Sequence, residues 1–251
     1  MPKASKNDTY PFVKKLAAND RPTRDAALES LKKFLRPKRA FDDLELQKLC
    51  KGLFFSMWFS DRPRTQQRLA DDLASLLAVV HDDNFIPLLS AFWAIIAREW
   101  DGIDQHRIDK FYLLLRRYAA AGLRRLRDND WDDNLVAQYN QAMAKVPLNP
   151  DSVKIPNAIR LHMFDIYVDE LERVLKEKSS SSDDEIDVDG VPFDALLEPV
   201  RTIAAKHPNK TIRQKAQQYV LDDSRLIQWG AVEAQEPSDD EDDEDEWGGF
   251  D

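Results

Sequence analysis

The chain has 251 residues, 43% of them hydrophobic, so it can bury a real core, and wholesale disorder is excluded. The net charge of −10 is uneven: residues 1–180 carry 30 basic and 26 acidic side chains, the remainder 6 and 20. The body is therefore slightly basic, and the acidic total does not exclude an RNA-rich setting. One cysteine, Cys50, rules out an internal disulfide and a multi-cysteine zinc site, and makes the cytosol or nucleus the expected compartment. No apolar run approaches the roughly 18 residues that span a bilayer, and the polar start from Met1 to Asp8 lacks the apolar centre of a secretory signal.

In chain order, apolar residues recur at three and four. Leu46, Leu49, Cys50, Leu53 and Met57 share one helical face, and Leu69, Leu73, Leu76, Leu77 and Val80 another. Phe85, Leu88, Leu89, Phe92 and Ile96 form a third, and Ile108, Phe111, Tyr112, Leu115, Ala119 and Leu126 a fourth. Proline and capping residues punctuate them: Asp61-Arg-Pro63, Asp82-Asp83-Asn84, Asp101-Gly102, Asp128-Asn-Asp130, Pro147-Leu-Asn-Pro150 and Ile155-Pro156. The pattern predicts helices near 9–18, 22–36, 42–59, 63–80, 83–100, 104–127, 131–145, 157–178, 193–206 and 209–228. An all-α chain follows. Helices of this length on short loops suggest an irregular HEAT-like helical-hairpin solenoid, with an irregular bundle as the competing arrangement. The expected domains are a main helical repeat domain over 1–178, an acidic serine-rich linker over 179–191, a C-terminal helical pair over 192–230 packing on it, and a disordered acidic tail over 231–251.

No local catalytic constellation is visible. His81, His106, His162 and His207 lie far apart, and none pairs at short spacing with another or with Cys50. His162, on an apolar helix, reads as a packed core histidine. No phosphate loop, dinucleotide fingerprint or nucleophile elbow occurs. The expectation is a protein that is not an enzyme and takes no cofactor, metal or small-molecule substrate.

Binding surfaces are more informative. On a wheel of 100° per residue, Lys110, Arg116, Arg117, Arg124 and Arg127 cluster away from the apolar stripe of helix 104–127. Such a stripe attracts phosphates, arginine adding bidentate geometry; the plainer reading is a solvated face paired with acidic neighbours such as Asp128 and Asp130. A weaker basic group, Lys32, Lys33, Arg36, Lys38 and Arg39, sits where a helix ends, which the helix dipole alone explains; nuclear import or RNA contact is the sharper reading. Phe54, Phe55, Trp58, Phe59, Phe92, Trp93 and Trp100 outnumber what one helix face hides; most read as inter-helix core and some as cover for a partner. Ser180, Ser181, Ser182 and Ser238 each precede an acidic residue by three positions, as acidophilic kinases require.

Several strings are shared with one family. Phe12-Val-Lys-Lys-Leu-Ala-Ala-Asn-Asp20, Thr23-Arg-Asp-Ala-Ala-Leu28 and Leu31-Lys-Lys-Phe34 open it. The more specific ones are Lys51-Gly-Leu-Phe54 followed by Met57-Trp58, and Arg98-Glu-Trp100 followed by Gly102-Ile-Asp104, Arg107 and Asp109-Lys-Phe-Tyr112. Pro156-Asn-Ala-Ile-Arg-Leu-His162 and Asp169-Glu-Leu171 complete the set. Over roughly residues 9–206 the chain resembles the nucleolar ribosomal RNA processing protein one family, the Nop fifty-two family. The resemblance implies a nucleolar, non-catalytic scaffold of the large-subunit precursor (pre-60S) particle, acting in pre-rRNA processing. It would contact other assembly factors and pre-rRNA, without a membrane. Many members carry a long basic C-terminal extension, in contrast to the acidic run Glu236–Glu246 here. The alternative is a helical protein-binding adaptor of another nuclear or cytosolic complex, without RNA contact. Trp100-Asp-Gly-Ile-Asp104 reads as a tight turn with Asp104 capping the next helix.

Overall fold

The computed structural model describes residues 15, 16, 18, 20–177 and 186–233. Among these residues the regular structure is helical throughout: α1 (Arg21–Leu35), α2 (Asp43–Trp58), α3 (Pro63–Ala74), α4 (Leu76–Val79), α5 (Asp82–Glu99) and α6 (Ile108–Arg127) are followed by α7 (Asp133–Lys145), α8 (Asn157–Lys176), α9 (Phe193–Lys206), α10 (Lys210–Ala216) and α11 (Ser224–Gln228). Most of the helix at 9–18 lies outside the described residues; within them Lys15 and Leu16 are helical, and Leu16 is buried. Ser180, Ser181, Ser182 and Ser238 also lie outside them.

Local chemistry sets the boundaries. Asp20 accepts from the Thr23 N–H ahead of α1, and Asp42 and Glu45 form a reciprocal capping box at α2. Pro63 opens α3, where its missing N–H costs nothing. Two expected helices are divided. The one over 63–80 breaks at Ser75, whose Oγ donates to the Asp72 carbonyl at 2.7 Å, giving α3 and the single turn α4. The one over 209–228 becomes α10, a π-helical turn over Gln217–Leu221, and α11 capped by Asp223. Trp100–Gly102 is a 3-10 turn. Asp104 caps that connection rather than the helix: its carboxylate accepts from the His106 N–H at 3.0 Å, and α6 starts four residues on. Between α6 and α7, Asp130 and Trp131 take φ of 51° and 56° without being glycine, held by the burial of the Trp131 ring.

Who packs on whom defines a two-layer solenoid. In the first layer α2 packs on α5, α5 on α7 and α7 on α9. In the second, α3 and α4 pack on α6, α6 on α8, and α8 on α10 and the π turn. Successive pairs stack side by side, which is the HEAT-like arrangement. One cluster of buried apolar residues runs from Leu16 to Ala231 between the layers, so α9 to α11 share the core of the preceding helices. Phe54, Phe92, Trp93 and Trp100 are buried in it, with Phe92 stacked on Tyr118. Phe59 is the exception among these rings, 58% exposed and stacked on Phe55. Gly122 lets α6 and α7 approach: a Cβ there would sit 2.9 Å from the Tyr139 ring.

Candidate functional site

The basic stripe of α6 lies in the second layer between two neighbours, α3 and α8, and this decides where its charges go. Lys110 is only 5% exposed. Its ammonium turns inward and donates to the carbonyls of Trp58 and Ser60, at 2.8 and 2.7 Å, closing the C-terminal end of α2. Lys110 therefore presents no charge to a phosphate outside. Burial lowers its pKa to about 8, with Arg107 adding to the shift and Asp61 and Asp104 opposing it. Because the unfolded side chain titrates near 10.5, the unfolded state holds more protons between those values, and stability rises with pH there. We expect unfolding free energy to increase by about 2 kcal/mol between pH 7.5 and 9.5 relative to Lys110→Met, read from urea titrations. Parallel curves for the two proteins would contradict this.

The four arginines are engaged with other helices. Arg116 pairs with the buried carboxylate of Glu170 and reaches Asp169 at 3.3 Å, both on α8. Arg117 Nε lies 2.6 Å from Asp71 on α3. Arg124 forms a bidentate pair with Glu177 at 2.6 and 2.8 Å, and this pairing holds the Glu177 carboxyl below its ordinary value. Arg127 joins the same carboxylate and donates to the Val174 carbonyl at 2.6 Å. Arg173 of α8 returns to Glu170 and Glu177, and Arg225 of α11 closes the network on Asp169, Glu172 and Asp223. The acidic partners thus come mainly from α3 and α8; Asp128 pairs with Arg127, and Asp130 enters no ion pair among the described residues. Arg125, outside the expected stripe, pairs with Asp82 and donates to the Ala78 and Val80 carbonyls. The stripe is an inter-helix seam.

The weaker group is mixed. Lys32 and Lys33 occupy the last turn of α1, with Lys32 paired to Glu29 at 3.2 Å; Arg36 is the C-cap residue. Lys38 lies 3.7 Å from Asp83, and Arg39 pairs with Glu45 while stacking over Phe34 and Phe41.

The histidines do not converge. His162 packs on Tyr112 with Nε2 3.0 Å from its carbonyl oxygen, and burial holds its pKa below the usual value. His81 accepts the Asp83 N–H at the start of α5, and His207 accepts the Asn209 N–H. Among the described residues no three metal-ligating side chains group together, and no helix is long and apolar enough to cross a membrane.

One buried cation escaped the sequence reading. Arg160 is fully buried and faces no carboxylate. Its guanidinium donates to the carbonyls of Asn149, Ser152 and Ile155 and to the Asn157 side chain, at 2.6–2.9 Å, locking the α7–α8 connection. A lone Arg in an amphipathic helix carries no local signal for this, because its acceptors are main-chain oxygens.

A ladder of helix pairs joined by an ion-paired seam defines a helical-repeat protein of the solenoid class. The family model described as "Nucleolar protein, Nop52" matches residues 7–248, across every helix described above. The chain belongs to the Nop52 family of nucleolar proteins, and its place is the nucleolus. It is 37% identical over 169 residues to Ribosomal RNA processing protein 1 homolog A of Mus musculus, covering 65% of this chain and 34% of that protein. It is 32% identical over 209 residues to Ribosomal RNA processing protein 1 homolog B of Homo sapiens, covering 81% of this chain and 26% of that protein. A relative from Caenorhabditis elegans, Ribosomal RNA processing protein 1 homolog, is 30% identical over 165 residues, 64% of this chain and 41% of its own length. The chain spans between about a quarter and two fifths of the length of these relatives.

Proposed function

We propose that this chain is a non-catalytic scaffold in ribosome biogenesis, acting in pre-rRNA processing within the large-subunit (pre-60S) precursor. The observation that carries the reading is the family match over residues 7–248, together with relatives named for ribosomal RNA processing. A two-layer solenoid suits the role physically, since it offers long continuous faces on a rigid core. Other pre-60S assembly factors and pre-rRNA are the partners in this reading. The division into a repeat domain over 1–178, a linker over 179–191, a helical pair over 192–230 and a tail over 231–251 belongs to it as well.

One observation favours protein contacts over RNA contacts. Arg116, Arg117, Arg124 and Arg127 are held by carboxylates of the same chain, so a phosphate reaches them only by displacing Glu170, Asp71 or Glu177. This also supports the second reading, a protein-binding adaptor without RNA contact. Depleting the protein and following precursor RNAs by hybridisation separates the two. Accumulation of precursors to the large-subunit RNAs, with small-subunit RNA unchanged, is expected. Normal processing of both would overturn the proposal.

A further inference from the structure

The first layer of the solenoid carries an open trough that reaches Arg125 of α6 at one end. Two cavities of about 450 and 380 Å3 share Ile86 and Pro87 and join end to end between α5 and α7. Leu135 lies beside Ile86 at one end, and Ala142 and Val146 beside Ala91 and Ala94 at the other, so α5 and α7 run parallel along it. From Asp82 to Ala94 the trough extends roughly 18 Å, some three helical turns. Small side chains make its floor: Ser90, Ala91 and Ala94 project little, while the large residues of α5, among them Leu88, Leu89 and Phe92, point into the core. The trough is therefore mixed: polar side chains dominate the end lined by Asp82, Asp83 and Asp132, and the apolar floor lies toward Ala91, Ala94, Ala142 and Val146, flanked by α2 through Asp43 and Gln47, with Leu44 of that helix 60% exposed.

The two ends differ in charge. Asp82, Asp83 and Asp132 line one end. Asp43 joins them, because the α2 entry is tied to the α5 entry: Asn84 accepts from the Phe41 N–H and donates to the Arg39 carbonyl. Arg125 and Lys38 offset two of these carboxylates, and Asp43 and Asp132 enter no ion pair among the described residues. At the far end stands Lys145.

We infer that this trough receives a single amphipathic α-helix of a protein partner, running antiparallel to α5 and α7. Its small apolar side chains lie on Ile86, Pro87 and Ala91, and lysine or arginine in its last turn faces Asp43, Asp82, Asp83 and Asp132. Length, floor and charge select this occupant together. Three turns of groove between parallel helices admit a third helix, which covers apolar floor without leaving main-chain groups unpaired. A helix favours cations in its last turn and carboxylates in its first, so the antiparallel direction sets the partner's cations on the acidic end and its first-turn carboxylates on Lys145, against the dipole's bare preference at each end. A nucleic acid is disfavoured, since the carboxylates repel phosphate.

The inference rests on the scaffold reading, and the test separates the two. The full-length protein carrying Gln138→p-benzoylphenylalanine, at the exposed rim of the trough, is irradiated in nuclear extract, and crosslinked peptides are identified by mass spectrometry. A control carries the photoprobe at Arg68 on α3. The expected product at position 138 is one peptide with an apolar face and basic residues in its last turn. It is absent at position 68, and its yield falls at least about tenfold in Ala94→Arg and in Asp83→Lys. Asp83, with 61% of its side chain exposed, tolerates reversal without loss of fold, which circular dichroism checks. Crosslinks at position 138 only to RNA, only to this same chain, or only to peptides without that pattern would overturn the inference, as would no crosslink or yields insensitive to both variants. Sedimentation of the same extract reads the scaffold role separately: a chain absent from large-subunit precursors defeats that role, while the crosslinks still decide the trough.

Discussion

Reversing Arg116, Arg117, Arg124 and Arg127 together to glutamate is expected to unfold the second layer rather than merely discharge a surface. Each reversal places a new carboxylate against an existing one: Glu170 and Asp169 at position 116, Asp71 at 117, and Glu177 at 124 and 127. Glu170 is fully buried, so its repulsion is poorly screened. The others are partly exposed and count for less. Together the loss amounts to roughly 4–6 kcal/mol, comparable with the whole stability of a domain. Helicity at 25 °C and the urea midpoint should both fall. A reciprocal swap, Arg117→Glu with Asp71→Arg, should recover most of its share by restoring the pair with opposite polarity, since Asp71 enters no other ion pair among the described residues. That swap, rather than the quadruple reversal, isolates any RNA contact by Arg117, because it removes the cation from that position while keeping the fold. A quadruple variant with unchanged helicity and midpoint would show that the seam contributes little.

Arg160→Ala should have the larger effect of any single change, a loss of about 3–5 kcal/mol. The guanidinium satisfies the carbonyls of Asn149, Ser152 and Ile155 at once, and its removal leaves them facing a cavity beside α8. Arg160→Lys should recover little, since a single ammonium cannot reach acceptors spread around a planar fork. Hydrogen exchange should locate the damage first in the 146–156 connection and the start of α8. Asn149 has a second hold there, since its side chain accepts the Asp151 and Ser152 N–H groups and donates to the Ala144 carbonyl. A midpoint shift of under about 1 kcal/mol would contradict this account.

Much of the fold is legible in the sequence because its signals are local. Three-and-four spacing marks the faces of the helices between 46 and 126, and proline or aspartate marks most of their ends; α9 runs from Phe193 to Lys206, the range the pattern predicts. The break at Ser75 is not legible, since it depends on one serine hydroxyl choosing a carbonyl three residues back. The π turn at Gln217–Leu221 likewise lies in an uninterrupted helical pattern. The functional face is harder to read. A wheel shows that Lys110 and the arginines lie away from the apolar stripe, but not how many helices flank that side. With α3 on one edge and α8 on the other, α6 has little of its circumference left for solvent. The trough shows the opposite limit. Ser90, Ala91 and Ala94 are unremarkable in sequence, and become a groove only once α7 runs parallel beside them.

The proposed role of this solenoid is to serve the assembly of the large ribosomal subunit as a scaffold. Its most direct test is native purification of the full-length protein from nucleoli, with sequencing of the associated RNA and sedimentation of the bound particles. Precursors of the large-subunit RNAs are expected, bound together with other assembly proteins and sedimenting with large-subunit precursor particles. Recovery as a free protein, or with small-subunit precursors alone, would contradict it.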